Sequence, residues 1–238
     1  MRRVFLSAEW RKLAIANYSI DEKVLLPYLP YRTELDRWNG ECYVSLVGFR
    51  FINTKLKGIP VPFHRHFEEI NLRFYVRFRE DGKWKRGVTF IREIVPKPAL
   101  TFVANTIYKE KYITLPTRYQ WQEANGRLQV AYQWKHLKRW NTFSVTAENA
   151  AREMDPGSKA EFITEHYWGY APVHAAGCTE YEVSHPRWQE YKVLDSSIDV
   201  SFEKLYGPAF SCLDGVKPRS VMLAEGSEIC VYGKKSIR

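Results

Sequence analysis

The chain has 238 residues and a formal net charge of +9, from 36 Lys and Arg against 27 Asp and Glu. Hydrophobic residues make up 45% and charged residues 26%, ordinary globular values that exclude disorder as the default state. The length suits one domain spanning 1–238, able to bury roughly 70% of its unfolded surface without disulfide or metal staples.

In chain order, a short helix is expected over Asp21 to Leu26, capped at Ser19 and ended near Pro27 and Pro30. Asn39-Gly40, Asp81-Gly82 and Asn125-Gly126 are hairpin signals, because such dipeptides supply the positive φ of tight turns. The clearest strand runs from Glu68 to Arg79. Ile70, Leu72, Phe74, Val76 and Phe78 alternate with Glu69, Asn71, Arg73, Tyr75 and Arg77, so one face is apolar and the other polar. The chain should fold back at Asp81-Gly82 into Val88 to Val95. Pro98 can open a second helix, over which Leu100, Val103, Ala104, Ile107 and Tyr108 keep helical spacing. A meander follows over Tyr112 to Glu123, Leu128 to Trp134 and Asn141 to Thr146. A third helix over Ser158 to His166 carries a capping box of Ser158 and Glu161. Tyr191 to Val200 and Ser227 to Tyr232 complete the strands. This pattern predicts an α+β, mostly β fold with a curved antiparallel sheet and a few short helices.

Tyr 15, Phe 13 and Trp 8 make the chain rich in aromatics, which suit both a pleated core and the wall of a pocket. Cys42, Cys178, Cys212 and Cys230 form no Cys-x-x-Cys pair and fit a reducing compartment. No apolar run approaches a membrane span, and Met1 to Glu9 lack the apolar stretch of a signal peptide, so the expected location is the cytoplasm. The basic charge allows nucleic-acid or acidic-membrane contact. It is spread along the whole length, however, with its densest clusters at Lys83–Arg86 and Lys135–Trp140, so a nucleic-acid partner is not favoured.

Three stretches can carry chemistry. The first holds His64, His66, Glu69, Asn71 and Arg73. A His-x-His pair with a glutamate could bind a metal, but no third ligand has suitable spacing, and no metal is expected. If the sheet closes, Glu69, Asn71 and Arg73 line its lumen; if it stays open, they form a wetted row. The second stretch holds Asn105, Tyr108, Lys109 and Lys111, where a lysine made nucleophilic by a neighbouring cation could form a Schiff base. The third, Glu165-His166-Tyr167-Trp168-Gly169, pairs an acid and a base with aromatics, and reads equally well as a helix end with Gly169 making the turn into a strand. Gly-x-Ser-x-Gly, phosphate-binding and dinucleotide-binding motifs are absent.

Leu29-Pro30, Tyr43-Val44-Ser45-Leu46-Val47-Gly48-Phe49, Phe67 to Val76, Val103-Ala104-Asn105, Glu165 to Tyr170 and His185-Pro186-Arg187-Trp188 together resemble the YqjF-like family of uncharacterised bacterial proteins (domain of unknown function 2071) over nearly the whole chain. That family resembles acetoacetate decarboxylase in fold. The resemblance implies a sheet closing into a cone or barrel-like double sheet around a pocket. It also implies a Pro-Lys-Lys motif after the second helix, whose lysine forms the Schiff base. Here Pro116 is followed by Thr117-Arg118 instead, with Lys109 and Lys111 the nearest substitutes at the wrong spacing. Glu69 matches the decarboxylase's pocket glutamate by pattern. A shared fold does not imply shared chemistry.

The expectation is therefore a cofactor-free protein that binds a small keto or carboxylic acid without the lysine pair. Glu69, Lys109 and Lys111 are the catalytic candidates, and Asn71, Arg73, His64, His66, Asn105, Tyr108, Arg118, Glu165, His166 and Trp168 the ligand-binding ones. The alternative is an enzyme acting on a keto or enol acid through Glu69 and Arg73. A nucleic-acid or membrane-surface protein is the lesser alternative. Homo-oligomerisation is left open.

Overall fold

A computed structural model describes residues 3–174 and 177–238. Its strands are β1 (Val4–Ile20), β2 (Thr33–Leu35), β3 (Cys42–Leu56), β4 (Ile59–Pro60), β5 (Phe67–Glu80), β6 (Lys83–Val95), β7 (Tyr112–Thr114), β8 (Thr117–Ala124), β9 (Arg127–His136), β10 (Arg139–Glu153), β11 (Trp168–His174), β12 (Gly177–Ser184), β13 (Gln189–Asp199), β14 (Ser220–Tyr232) and β15 (Lys235–Ile237). The helices are α1 (Glu22–Leu25), α2 (Pro98–Val103), α3 (Lys159–Thr164) and α4 (Phe202–Tyr206).

The strands form one mixed sheet in the order β15-β12-β11-β6-β5-β3-β1-β14-β13-β10-β9-β8. A further pairing of β12 with β14 closes seven of them, β14-β1-β3-β5-β6-β11-β12, into a circuit. The expected antiparallel sheet carries two parallel pairings: β6 runs parallel to β11 along one half and parallel to β7 along the other.

The expected turns form. Asn39-Gly40, Asp81-Gly82 and Asn125-Gly126 all have two consecutive positive φ angles. The strand expected over Tyr112 to Glu123 is split at Pro116 into β7 and β8. α1 is capped by Asp21, whose carboxylate accepts from the Lys23 N–H, not by Ser19. α2 starts at Pro98 and continues as a π-turn over Ala104–Tyr108. Ser158 caps α3 through the Glu161 N–H, but the Glu161 carboxylate accepts from the Gly157 N–H rather than closing the box on Ser158.

β5 is buried on both faces. Ile70, Leu72, Phe74, Val76 and Phe78 pack into a core shared with Tyr132, Trp134, Phe143 and Val145 of β9 and β10 and with Phe202, Leu205 and Phe210 near the C-terminal end. This layer sits tightly: a Cβ on Gly48 would lie 2.7 Å from the Tyr132 ring. The opposite face of β5 turns into the circuit. There Tyr43, Val47 and Phe49 of β3, Tyr75 of β5, Phe162 and Ile163 of α3, and Tyr181 of β12 form a second core. The period of two thus sends one strand into two different environments, an apolar slab and a partly polar interior.

Candidate functional site

The interior of the circuit holds a cavity of about 230 Å³, walled mostly by apolar and aromatic side chains such as Trp10, Phe49, Phe67, Phe90, Leu100 and Trp188. Its polar lining includes Glu69, Asn71 and Arg73 on β5, Glu93 on β6, Glu110, Tyr112, His166 and Tyr181. The polar row of β5 therefore faces a pocket, not solvent. Few convergent polar groups in an otherwise apolar cavity are the usual composition of a small-molecule site.

Glu93 reaches the cavity through a β-bulge. Across β5–β6, Arg73 opposes Phe90 while Leu72 opposes Arg92, leaving Ile91 as the extra residue. Val88 and Phe90 line the cavity, and strict alternation would send Arg92 inward and Glu93 outward. The bulge shifts the phase. Ile91 and Arg92 both turn to the slab side, where Arg92 bonds the Leu205 carbonyl, Ile94 follows them, and Glu93 points inward. β7 then lies parallel beside this half of β6, with Tyr112 opposite Glu93. The chain reverses into β7 at Lys109, whose φ is +63°. Asn105 pins that reversal, accepting from the Tyr112 N–H at 2.8 Å and donating to the Tyr112 carbonyl at 3.0 Å.

Glu69, Glu93 and Glu110 consequently share one buried volume. Asn71 donates to Glu69 at 3.0 Å, Tyr112 donates to Glu69 at 2.8 Å, and Tyr181 donates to Glu110 at 2.7 Å. Burial disfavours the charged form of all three acids. It lifts Glu69 to about 7 against the bonds from Asn71 and Tyr112, and lifts Glu110 to about 7. Glu93 is raised well above the usual range by burial and then by the charges of Glu110 and Glu69. Near neutral pH the trio holds at least one proton. Tyr181 can reach Glu110 because its cross-strand partner is Gly169, where a Cβ would sit 2.1 Å from the tyrosine ring. Gly169 lies within β11 and makes room there, so the turn expected of it is not found.

Arg73 is buried in the same wall. Among the described residues its guanidinium meets only the Ile163 carbonyl at 3.5 Å and the Tyr75 ring at 5.8 Å, and no carboxylate lies within ion-pair distance. His166 is buried between the Tyr75 and Phe162 rings, with Nε2 at 3.1 Å from Asp36 Oδ2. Burial, opposed by the bond to Asp36, drops it to about 4, so it is neutral at pH 7. Six buried polar atoms of the lining have no hydrogen-bond partner among the described residues: Trp10 Nε1, Thr54 Oγ1, Asn71 Oδ1, Arg73 Nε, Glu93 Oε2 and His166 Nδ1.

The other expected site residues divide. His64, Tyr108 and Trp168 line the cavity. His66 is exposed and accepts weakly from the Asn53 N–H. Arg118 is exposed on β8, bonded to Gln133 and stacked on Trp140. Glu165 accepts from Tyr167 away from the lining, and Asn105 is engaged by the backbone of Tyr112. Neither lysine candidate lines the cavity: Lys109 is exposed, and the Lys111 ammonium lies 5.2 Å from the centroid of the Tyr28 ring. Period-two alternation after Lys109 turns Glu110 and Tyr112 inward and Lys111 out. No lysine among the described residues contributes to the cavity wall. Among the same residues, no three His, Cys, Asp or Glu side chains are grouped to hold a metal ion. Sequence reasoning missed Glu93, Glu110, Tyr112 and Tyr181. Glu110 carries a signal of its own, since it alternates with the two lysine candidates and must face the side opposite to theirs.

The sequence matches the family DUF2071, described as an uncharacterized conserved protein, over residues 7–228. The chain belongs to the DUF2071 family. A DUF2071 relative, the uncharacterized protein YqjF of Bacillus subtilis, is 34% identical over 160 residues, covering 67% of this chain and 62% of that protein. The chain thus matches less than two thirds of that relative's length. In fold, this DUF2071 chain is similar to acetoacetate decarboxylase from Legionella pneumophila, with a TM-score of 0.68, 13% identity, and 98% and 87% of the two chains covered. An acetoacetate decarboxylase-like enzyme from Sphingomonas wittichii gives 0.67 at 10% identity, covering 98% and 93%. The enduracididine biosynthesis enzyme MppR, in a complex with pyruvate, gives 0.65 at 11% identity, covering 99% and 91%. At these identities the likeness establishes an acetoacetate decarboxylase-like fold and nothing of the chemistry.

Proposed function

We propose that the cavity binds a small organic acid, of the keto or carboxylic class, with its carboxylate on Arg73. The carrying observation is the Arg73 guanidinium: a buried cation without a counter-ion costs several kcal/mol, and an anionic ligand offsets that cost. The complex of the MppR enzyme with pyruvate supports the same ligand class for a cavity in this fold. The absence of any lysine from the lining speaks for binding without a Schiff base. Calorimetric titration with pyruvate and 2-oxobutyrate tests this reading. Arg73→Met should weaken binding about 10- to 100-fold, the size of a lost charge-assisted hydrogen bond. Unchanged affinity in the folded variant would overturn it.

A second reading, an enzyme acting on a keto or enol acid, draws on the carboxyl trio. Glu69 in its carboxylate form takes a proton from the carbon beside a bound ketone. Protonated Glu93 gives its proton to the carbonyl oxygen, and the keto acid becomes its enol. Deuterium uptake from solvent into 2-oxobutyrate, lost in Glu69→Gln, is the expected sign. No uptake above the buffer rate counts against it.

The cytoplasm is the proposed compartment, supported by four free cysteines. No helix among the described residues is long and apolar enough to cross a membrane. A nucleic-acid role, supported only by the net charge, would require binding that falls steeply with salt. Sedimentation velocity tests for the homo-oligomer.

A further inference from the structure

His166 is held by a network that leaves one of its ring nitrogens free. Asp36 Oδ2 receives the His166 Nε2–H at 3.1 Å and the Arg86 Nε–H at 2.7 Å. Asp36 cannot swing away, because its own backbone N–H is bonded to the Tyr75 carbonyl and Arg86 anchors its side chain. Asp36 is not part of the cavity lining, whereas His166 is. Nε2 is therefore the engaged side of the ring, and Nδ1 is its remaining polar atom, buried and without a protein partner.

The protonation state follows from the neighbours. An ionised Asp36 beside Nε2 favours a proton on that nitrogen. A second proton on Nδ1 would make a buried cation near two guanidiniums, Arg86 and Arg73, with a single carboxylate to balance all three. Nδ1 thus keeps its lone pair and accepts hydrogen bonds. Arg73 is close by: its guanidinium and the His166 ring flank the same Tyr75 ring, at 5.8 Å and 4.7 Å from its centroid. A donor-seeking nitrogen and an anion-seeking guanidinium therefore flank one ring at the edge of the cavity, the imidazole 1% exposed.

We propose that His166 accepts a hydrogen bond from the bound molecule at Nδ1, so that the site selects an acid carrying an O–H beside its carboxylate: a 2-hydroxy acid, or the enol form of a 2-keto acid. This rests on the reading that Arg73 takes the carboxylate. It adds a second contact point and a preference within the class of small acids. Asp36 and Arg86 act as positioning residues, since they touch His166 and not the ligand. A plain carboxylic acid of the same length would leave Nδ1 unpaired and lose the corresponding bond, a difference of roughly 3- to 10-fold in affinity.

Two measurements on the full chain decide it. Two-bond proton–nitrogen correlation spectra of histidine-labelled protein at pH 7 should show His166 as the Nε2–H tautomer with an unprotonated Nδ1, its signal assigned by its loss in His166→Phe. A protonated Nδ1 would overturn the proposal. In calorimetric titrations, 2-hydroxybutyrate should bind wild type roughly 3- to 10-fold more tightly than butyrate. His166→Phe should abolish that preference while still binding butyrate. Equal wild-type affinities would overturn the His166 contact and leave the Arg73 reading standing. Binding of neither acid would overturn both. The spectra use wild type, so the test holds even if the variant does not fold.

Discussion

Removing one acid from the buried carboxyl trio should make the protein more stable at alkaline pH, with a magnitude set by Glu110. In the fold its carboxyl titrates at about 7 against an ordinary 4.5, because burial penalises the anion. Between these two values the folded state binds more protons than the unfolded one, so stability falls as pH rises through this window and stays low above it. At about 1.4 kcal/mol per pH unit, a difference of about 2.5 pH units amounts to about 3 kcal/mol. Glu110→Gln preserves an acceptor for the Tyr181 hydroxyl, now bonded to Oε1 at 2.7 Å, and removes the charge. At pH 4 the side chain is neutral in both proteins, and their stabilities should be similar. At pH 8 the variant should be the more stable by about 3 kcal/mol. Urea unfolding of both proteins at intervals from pH 4 to 8 gives the difference directly. His166 acts in the opposite sense. Lowered to about 4, it loses stability as pH falls below about 6.5, but it does so in both proteins and cancels. A stability difference that does not change with pH would refute the claim that Glu110 is ionised against its surroundings.

Further outcomes are expected. Borohydride treatment with pyruvate or 2-oxobutyrate should leave no covalent lysine adduct by mass spectrometry, since no lysine lines the cavity among the described residues. Gly169→Ala should displace the Tyr181 ring and cost about 1–3 kcal/mol in urea unfolding, the range for overpacking, with weakened acid binding beside it. Phe143→Ala, in the slab behind β5 and remote from the cavity lining, should cost about 3–5 kcal/mol and leave acid affinity in the folded fraction unchanged.

Local signals were legible in the sequence and non-local ones were not. The alternation from Ile70 to Phe78 marked β5 and separated Glu69, Asn71 and Arg73 from the apolar row, because side chains on a strand must alternate. The Asn-Gly and Asp-Gly turns and the Pro98 helix start were equally local. Outside the polar row of β5, His64, Tyr108, His166 and Trp168 were reachable from local composition, but Glu93 and Tyr181 were not, and that is a property of closure: β6 and β11 pair in parallel from positions some 80 residues apart. Asn105 and Lys111 show how a correct neighbourhood can yield the wrong residues. The stretch around them does reach the cavity, but through Glu110 and Tyr112, since the reversal at Lys109 sets which side faces in. Arg118 stood where the decarboxylase motif resemblance pointed, and β8 carries it to the far outer edge of the sheet.

The bulge at Ile91 has a consequence for how β6 tolerates change in length. With one extra residue, the strand has two halves of opposite phase, each correct for its own surroundings. Deleting Ile91 would restore a regular ladder, and the hydrogen-bonded backbone would lose nothing. Beyond that point every side chain would keep its side as far as Val95: Arg92 would still oppose Leu72, Glu93 would still oppose Asn71 and stand beside Tyr112, and only the Ile91 hydrocarbon would leave the slab. A lineage that lost this one residue could keep the fold and all three buried acids by refilling the slab with a larger neighbouring side chain. The cavity chemistry thus depends on which residue of β6 stands opposite Asn71, and not on how many residues separate the two halves of the strand.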